Sequence, residues 1–237
     1  MNEEKTWDFL MAHLNNAYGA AAVMGNFYIE SKIQSAYLQS YYARKLDTTS
    51  AEYTAKTDSG EYPADRFIHD SAGYGLAQWT FWDRKRSLLE YAQKKGTSVG
   101  DFDTQLEFFW QEVQLYKTAF EALKTAKSVK EASDIFAKKY EKPYDTSETA
   151  LQRRAEAGQR YYDMFAGIEA DTVLITANNV NLRAGNGKQY SAVDRVQNGE
   201  VYPWVATAEN GWHAIEFKKR VLWVHPDYST VRRKTHE

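Results

Sequence analysis

The strongest constraint on this chain is a change in its hydrophobic period near Gly167. Upstream, apolar residues recur at helical spacing. Downstream they fall in short β-branched and aromatic runs cut by glycine turns. The change predicts two domains, a mainly helical one over residues 1–167 and a small all-β one over 168–237.

The helical part carries its own punctuation. "NNAYGAAAVMGNFYIES" holds small and apolar residues at helical spacing. "TFWDRKRSLLEYAQKKG" opens with Thr80 and Asp83 in capping-box register and stops at Gly96. "DTQLEFFWQEVQLYKTAFEALKTA" is expected as one long amphipathic helix with Leu106, Trp110, Val113 and Phe120 on one face. "SVKEASDIFAKKYEKP" pairs Ser128 with Glu131 and ends before Pro143, and a last helix covers Ser147 to Phe165. The polar stretch from Asp47 to Ser71 is too long for a plain connection. It is expected to be a functional loop or to hide a small hairpin. In the second part "DTVLITA", "VNLRAG", "YSAVDRV", "EVYPWVATAE", "GWHAIEF" and "RVLWVHPDY" read as strands of a small barrel.

Composition removes several classes of function. With 30 Lys+Arg against 32 Asp+Glu the net charge is −2, and no basic patch interleaved with aromatics argues for nucleic acid. The short "RRK" from Arg232 to Lys234 reads as a solvated tail. The chain has no cysteine, and its five histidines form no ligand pair, so neither a metal nor any other cofactor is expected. No apolar run approaches the roughly 20 residues of a membrane span, and no membrane insertion is expected. "MNEEKTWDFL" lacks the features of a signal peptide.

One residue breaks the pattern around it. Glu30 continues a stripe formed by Val23, Asn26 and Phe27, seven, four and three residues before it. A carboxyl there is either a helix end turning toward water or a group placed for chemistry. Apolar neighbours and the negative end of a helix would both raise its pKa, as a glycosidic acid requires. Further on, "SAGYGLAQWTFWDRKR" fails as a dinucleotide motif, because no strand precedes it and Gln78 stands where a third glycine belongs. As a glycine-rich loop it could hold the chain close to a polar polymer. Gln78 would offer donors and acceptors, and Tyr74 and Trp79 would offer faces for a sugar.

"GNFYIES" followed by "GYGLAQWT" resembles the phage-tail lysozyme-like family of peptidoglycan-cleaving domains. The resemblance runs on through "RKRSLLEYA", "TQLEFFWQEV", "FAKKYEKP" and "ALQRRAEAGQRYY", over most of residues 5–165. It implies a lysozyme-like, α+β domain with a cleft, with Glu30 as catalytic acid and Gln78 and Trp79 in the cleft. A second carboxylate is open among Asp47, Glu52, Asp58, Glu61, Asp65 and Asp70. Asp83 is accounted for by its cap, and Glu141 is another candidate, for which an ion pair with Arg153 or Arg154 is the favoured account. Tyr140 and Tyr144 are candidates to line the cleft. A lytic transglycosylase would need no second carboxylate, since the sugar's own 6-hydroxyl attacks.

The second part resembles the bacterial SH3 domain family through "NLRAGNGKQY", "NGWHAIEF" and "LWVHPDY", with Leu222 departing from the glycine common before Trp223. That resemblance implies a wall-binding module gripping peptide stems or cross-bridges, with Tyr190, Trp204 and Trp212 as candidate contacts. The combined expectation is a monomeric endolysin-type muramidase, made in a host cytoplasm and acting on the wall. A processed bacterial autolysin would read the same way. N-acetylglucosaminidase action, and a wall binder without catalysis, stand as alternatives. An amidase or peptidase would need a cysteine or zinc constellation that this sequence lacks.

Overall fold

The computed structural model describes residues 2–166 and 171–232. The chain divides into two compact units, Met1–Asp163 and Met164–Glu237. Gly167, the expected boundary, lies outside the described residues, as do Arg233 and Lys234 of the tail.

The first unit is helical: α1 (Asn2–Leu14), α2 (Ala17–Ser31), α3 (Ser40–Lys45), α4 (Ser50–Ser59), α5 (Ala64–His69), α6 (Trp82–Lys95), α7 (Phe102–Val113), α8 (Lys117–Thr125), α9 (Val129–Phe136) and α10 (Glu148–Phe165). Its centre is α2. Asn16 caps it by accepting from the N–H groups of Tyr18 and Gly19 at 2.9 and 3.1 Å. Every residue from Gly19 to Phe27 is buried, so the helix is apolar all round, as a core helix must be. Small residues make this possible. A Cβ on Gly25 would sit 2.4 Å from the Gly158 nitrogen, so α2 and α10 touch backbone to backbone. The helix stops at Lys32, whose left-handed backbone (φ 57°) turns the chain away after Glu30 and Ser31.

Three sequence expectations change here. The long helix after Asp101 breaks at Gln114–Tyr116 into α7 and α8, with no glycine or proline to signal it. Asp47 to Ser71 holds α4 and α5 in place of a hairpin. Thr49 and Glu52 form a full capping box on α4. Thr80 and Asp83 do not form one: α6 begins after Phe81, with no side-chain cap, and the Thr80 hydroxyl donates to the Gln78 carbonyl at 2.8 Å. Ser128 does cap α9. That helix runs on into a π-helical turn, Ala137–Glu141, closed by Lys142 at φ 51°.

The second unit is a seven-stranded antiparallel sheet: β1 (Thr172–Ile175), β2 (Val180–Arg183), β3 (Ala192–Val196), β4 (Val201–Thr207), β5 (His213–Phe217), β6 (Arg220–Val224) and β7 (Ser229–Arg232). The order is β3-β2-β6-β5-β4-β1-β7. The expected strands form, and β7 is added after the "HPDY" turn. Val173, Ile175, Leu182, Ile215, Leu222 and Val224 meet in one apolar cluster. Leu222, the departure from the family pattern, belongs to that core. Closure into a barrel is not part of the observed pairing.

Candidate active site

Glu30 occupies the last turn of α2, and the glycine-rich loop docks beside it. The Ser31 hydroxyl donates to the Leu76 carbonyl at 2.9 Å, tying the loop to the helix end. Gln105 holds the loop from the other side, accepting from the Leu76 N–H at 2.9 Å and donating to the carbonyls of Ser35 and Val99. Tyr74 and Trp79 pair through their backbones across the turn.

The Glu30 carboxyl does not lie in an apolar pocket, as the sequence suggested. Arg154, projecting from α10, donates from Nη2 to Glu30 Oε1 at 2.6 Å and from Nη1 to Asn26 Oδ1 at 3.1 Å. Asn26 is held in turn by its own donation to the Ala22 carbonyl and the Ser133 hydroxyl. The fork is therefore aimed by a buried amide one helical turn before Glu30. Arg154 has 7% of its side chain exposed and Glu30 has 19%, so the pair is mostly buried, with Glu30 the more open partner.

A second carboxylate, Glu112 of α7, is the hub of its own hydrogen-bond network. Arg84 grips it with two bonds, Nε to Oε1 at 2.7 Å and Nη2 to Oε2 at 2.8 Å. Trp79 Nε1 and the Tyr140 hydroxyl donate to the same Oε2 at 2.9 and 2.5 Å. The Arg84 guanidinium also sits 4.6 Å from the centre of the Tyr140 ring. Burial first, and then the Glu112 charge, push the Tyr140 hydroxyl far above its usual range, so it stays a donor.

Glu141, at the end of the π-helical turn, is the third carboxyl of this cluster. The residue is half-buried, but its Oε1 is out of solvent and has no hydrogen-bond partner. Burial raises its pKa well above the carboxylate range, and the charge of Glu30 adds to that. Arg84 and Arg154 pull the other way without cancelling it, and Glu112 adds a smaller push upward. The expected ion pair of Glu141 with Arg154 is not what forms. The guanidinium fork goes to Glu30.

The expected cleft aromatics have interior roles instead. Tyr74, Trp79 and Tyr140 are each 0% exposed, and none offers a face to a sugar in this arrangement. The Tyr74 hydroxyl meets that of Thr54 at 2.5 Å. Gln78 is half-buried, and its Nε2 donates to the carbonyls of Tyr37 and Gly75, both at 3.1 Å. Tyr144, by contrast, stands fully exposed. Most of the loop carboxylates are engaged elsewhere. Glu52 caps α4, Asp58 accepts from Ser98 and Val99, and Asp65 meets His69. Glu61 lies 3.6 Å from Lys56, and Asp47 is exposed. Asp70 is buried against Lys85 at 2.5 Å and also accepts from the Tyr53 hydroxyl.

Asn26, Arg84 and Glu112 were not singled out from the sequence. Glu112 carried a readable signal, since it continues the buried stripe of Leu106, Phe108 and Phe109 much as Glu30 continues its own. In the second unit, Trp204 packs against the core and Trp212 is 6% exposed, while Tyr190 lies at the surface beside Gly185.

The phage tail lysozyme family model matches residues 1–165. The chain belongs to that family. It is therefore a glycoside hydrolase, and a lysozyme-like peptidoglycan glycosidase. The match covers the helices that carry the whole cluster of Glu30, Glu112, Glu141, Arg84 and Arg154, and stops before the β unit. No curated protein matches the chain. Lysozyme chemistry fits a site of this kind, in which several carboxyls cluster and burial raises the pKa of one of them, Glu141. Among the described residues, no helix is long and apolar enough to cross a membrane.

Proposed function

We propose that this chain is an endolysin-type N-acetylmuramidase in which Glu30 is the general acid. The observation that carries the reading is the placement of Glu30: a carboxyl at the mouth of a buried helix, partly open to solvent, inside the part that belongs to the lysozyme family. Bound glycan would lay a glycosidic oxygen against the open side of the carboxyl. Glu30 donates a proton to that oxygen as the C–O bond breaks and positive charge builds on the sugar ring. The docked loop fixes the end of α2 through Ser31, and Gln78 stiffens the loop by bonding two of its neighbours' carbonyls. Preorganisation of that kind supports the acid without touching the sugar.

The β unit is proposed as the wall-binding module, an SH3-like domain. Its support is a cavity of about 370 Å³ whose lining includes Trp212, His225, Tyr228, Asn181, Arg183 and Lys188. Trp212 packs edge-on against His225 at 4.9 Å, and His225 against Tyr228 at 5.6 Å. A lining that combines aromatics, amides and two cations suits a peptide stem carrying free carboxylates. In this proposal Trp212 contributes from the lining, in place of the exposed-surface contact expected for it.

The test is digestion of purified Gram-positive peptidoglycan by wild type and Glu30→Gln, with borohydride reduction and mass spectrometry of the products. Reducible muropeptides ending in reduced muramic acid, absent with the variant, are expected. Reduced glucosamine ends would make it a glucosaminidase, and products lighter by one water a lytic transglycosylase. Intact walls that merely pellet with the protein would make it a binder. Equal cutting by the variant would remove Glu30 from the role.

A further inference from the structure

Resting on the reading of Glu30 as acid, one feature of the site demands an explanation. A guanidinium donates to Glu30 Oε1 at 2.6 Å and releases no proton itself, so the acid needs another source for the proton it gives up. The cluster contains that source. Two guanidiniums, Arg84 and Arg154, face three carboxyls, Glu30, Glu112 and Glu141. Glu112 and Glu30 take the guanidiniums, and Glu141 is left with an oxygen out of solvent and unpartnered.

We propose that Glu141 is the proton reservoir of the site: a buried carboxyl that holds one proton in the resting enzyme and hands it to Glu30. The charged and titratable groups around it act in both directions, the carboxylates favouring the proton and the arginines opposing it without cancelling burial. Glu30 comes from α2, Arg84 from α6, Glu112 from α7 and Arg154 from α10. Tyr116 faces it from the α7–α8 turn, and Tyr140 precedes it on its own turn. With Glu141 neutral, the charges of the two arginines and two remaining carboxylates balance. With Glu141 ionised, an excess negative charge sits in the low-dielectric wall, which is costly. The backbone holds the residue there by an unusual device. The π-helical turn inserts an extra residue's width before Lys142 reverses the chain, its N–H closing on the Ala137 carbonyl at 2.7 Å.

The transfer balances. The proton leaves a Glu141 oxygen for Glu30, and Glu30 passes it to the glycosidic oxygen, which keeps the electron pair of the broken C–O bond. The water that adds to the sugar carbon releases the proton that restores the pair. Glu141 acts through Glu30 and is a positioning residue, not a catalytic one.

Infrared spectroscopy of the full chain reads the proton directly. At neutral pH wild type is expected to show the carbonyl stretch of a buried carboxylic acid. Glu141→Gln is expected to lose that band, and Glu30→Gln, which removes a charge that favours the proton on Glu141, to weaken it. In turnover of soluble glycan fragments, Glu141→Gln should lower kcat at neutral pH by about tenfold or more, with KM little changed. Activity should return in acid, where the solvent supplies the proton, and Glu141→Asp should recover part of the neutral activity. A band missing from wild type, a band that survives in Glu141→Gln, or an unaltered pH–rate profile in that variant would each overturn the proposal. Full activity in Glu30→Gln is a different failure: it removes the acid that Glu141 serves, whatever the infrared band reports.

Discussion

Arg154 Nη2 and Glu30 Oε1 meet at 2.6 Å across 124 residues of sequence, joining the last helix of the first unit to the end of its central one. The same guanidinium binds Asn26, so one side chain orients both polar groups of that face. Truncating Arg154 to Ala would leave a carboxylate in the wall without its partner. The expected loss is about 3–5 kcal/mol of folding stability, read from urea unfolding. Arg154→Lys keeps the charge but not the fork, and is expected to recover only part of it. A loss below about 1 kcal/mol in Arg154→Ala would mean the pair behaves as a surface contact.

Trp79 gives a sharper separation of interior from cleft. Its ring is fully buried, and its N–H donates to Glu112. Trp79→Phe keeps an aromatic ring and removes that donor, which is expected to cost about 1–3 kcal/mol in stability. KM for glycan fragments should not move, because the ring does not reach the substrate. A rise in KM without loss of stability would restore the sugar-stacking role expected from the sequence.

The sequence carried the two-unit plan, the core helix α2 and the odd carboxylate at its end, because those are written in local periodicity. It did not carry the partners. Arg154 reads as a neighbour of Glu141 along the chain, yet α10 crosses α2 at Gly25 and Gly158 and delivers the fork to Glu30. Trp79 and Tyr140 read as cleft aromatics because a ring beside a loop suits either side of a wall. Only Glu112, 33 residues from Trp79 and 28 from Tyr140, decides the side. The break between α7 and α8 has no local signal. It coincides with the point where Glu112 and Tyr116 come together around Arg84. Asp47 to Ser71 is the reverse case: it was expected to be a loop or a hairpin, and the Thr49–Glu52 capping box that starts α4 is a local signal that expectation missed.

Glu141 makes stability depend on pH in a direction opposite to that of a paired carboxylate. Its folded pKa is raised, so the folded state binds the proton more tightly than the unfolded chain does. The stability it contributes is fully present below the unfolded carboxylate pKa and is lost as pH rises through the folded value. Glu141→Gln cannot ionise. Relative to wild type, it should gain thermal stability as pH rises from acid through neutral and level off above the folded pKa. Calorimetry of the two proteins in a series of buffers would show this. A difference that is the same at every pH would mean that burial of Glu141 does not govern its proton.

The cavity of the β unit makes the last prediction. Tyr228 is 46% exposed and lines it beside Lys188, so both can be changed without opening the apolar core around Ile215 and Val224. Stability of Tyr228→Ala with Lys188→Ala should stay within about 0.5 kcal/mol per site, as for surface substitutions generally. Sedimentation with purified walls is expected to fall severalfold, because the lining loses a cation for stem carboxylates and an aromatic face. The aromatic and the cation act on different parts of a ligand. Added salt should therefore weaken wild-type binding, and should weaken it less in Lys188→Ala than in Tyr228→Ala. Undiminished sedimentation of the double variant would move wall binding away from this cavity.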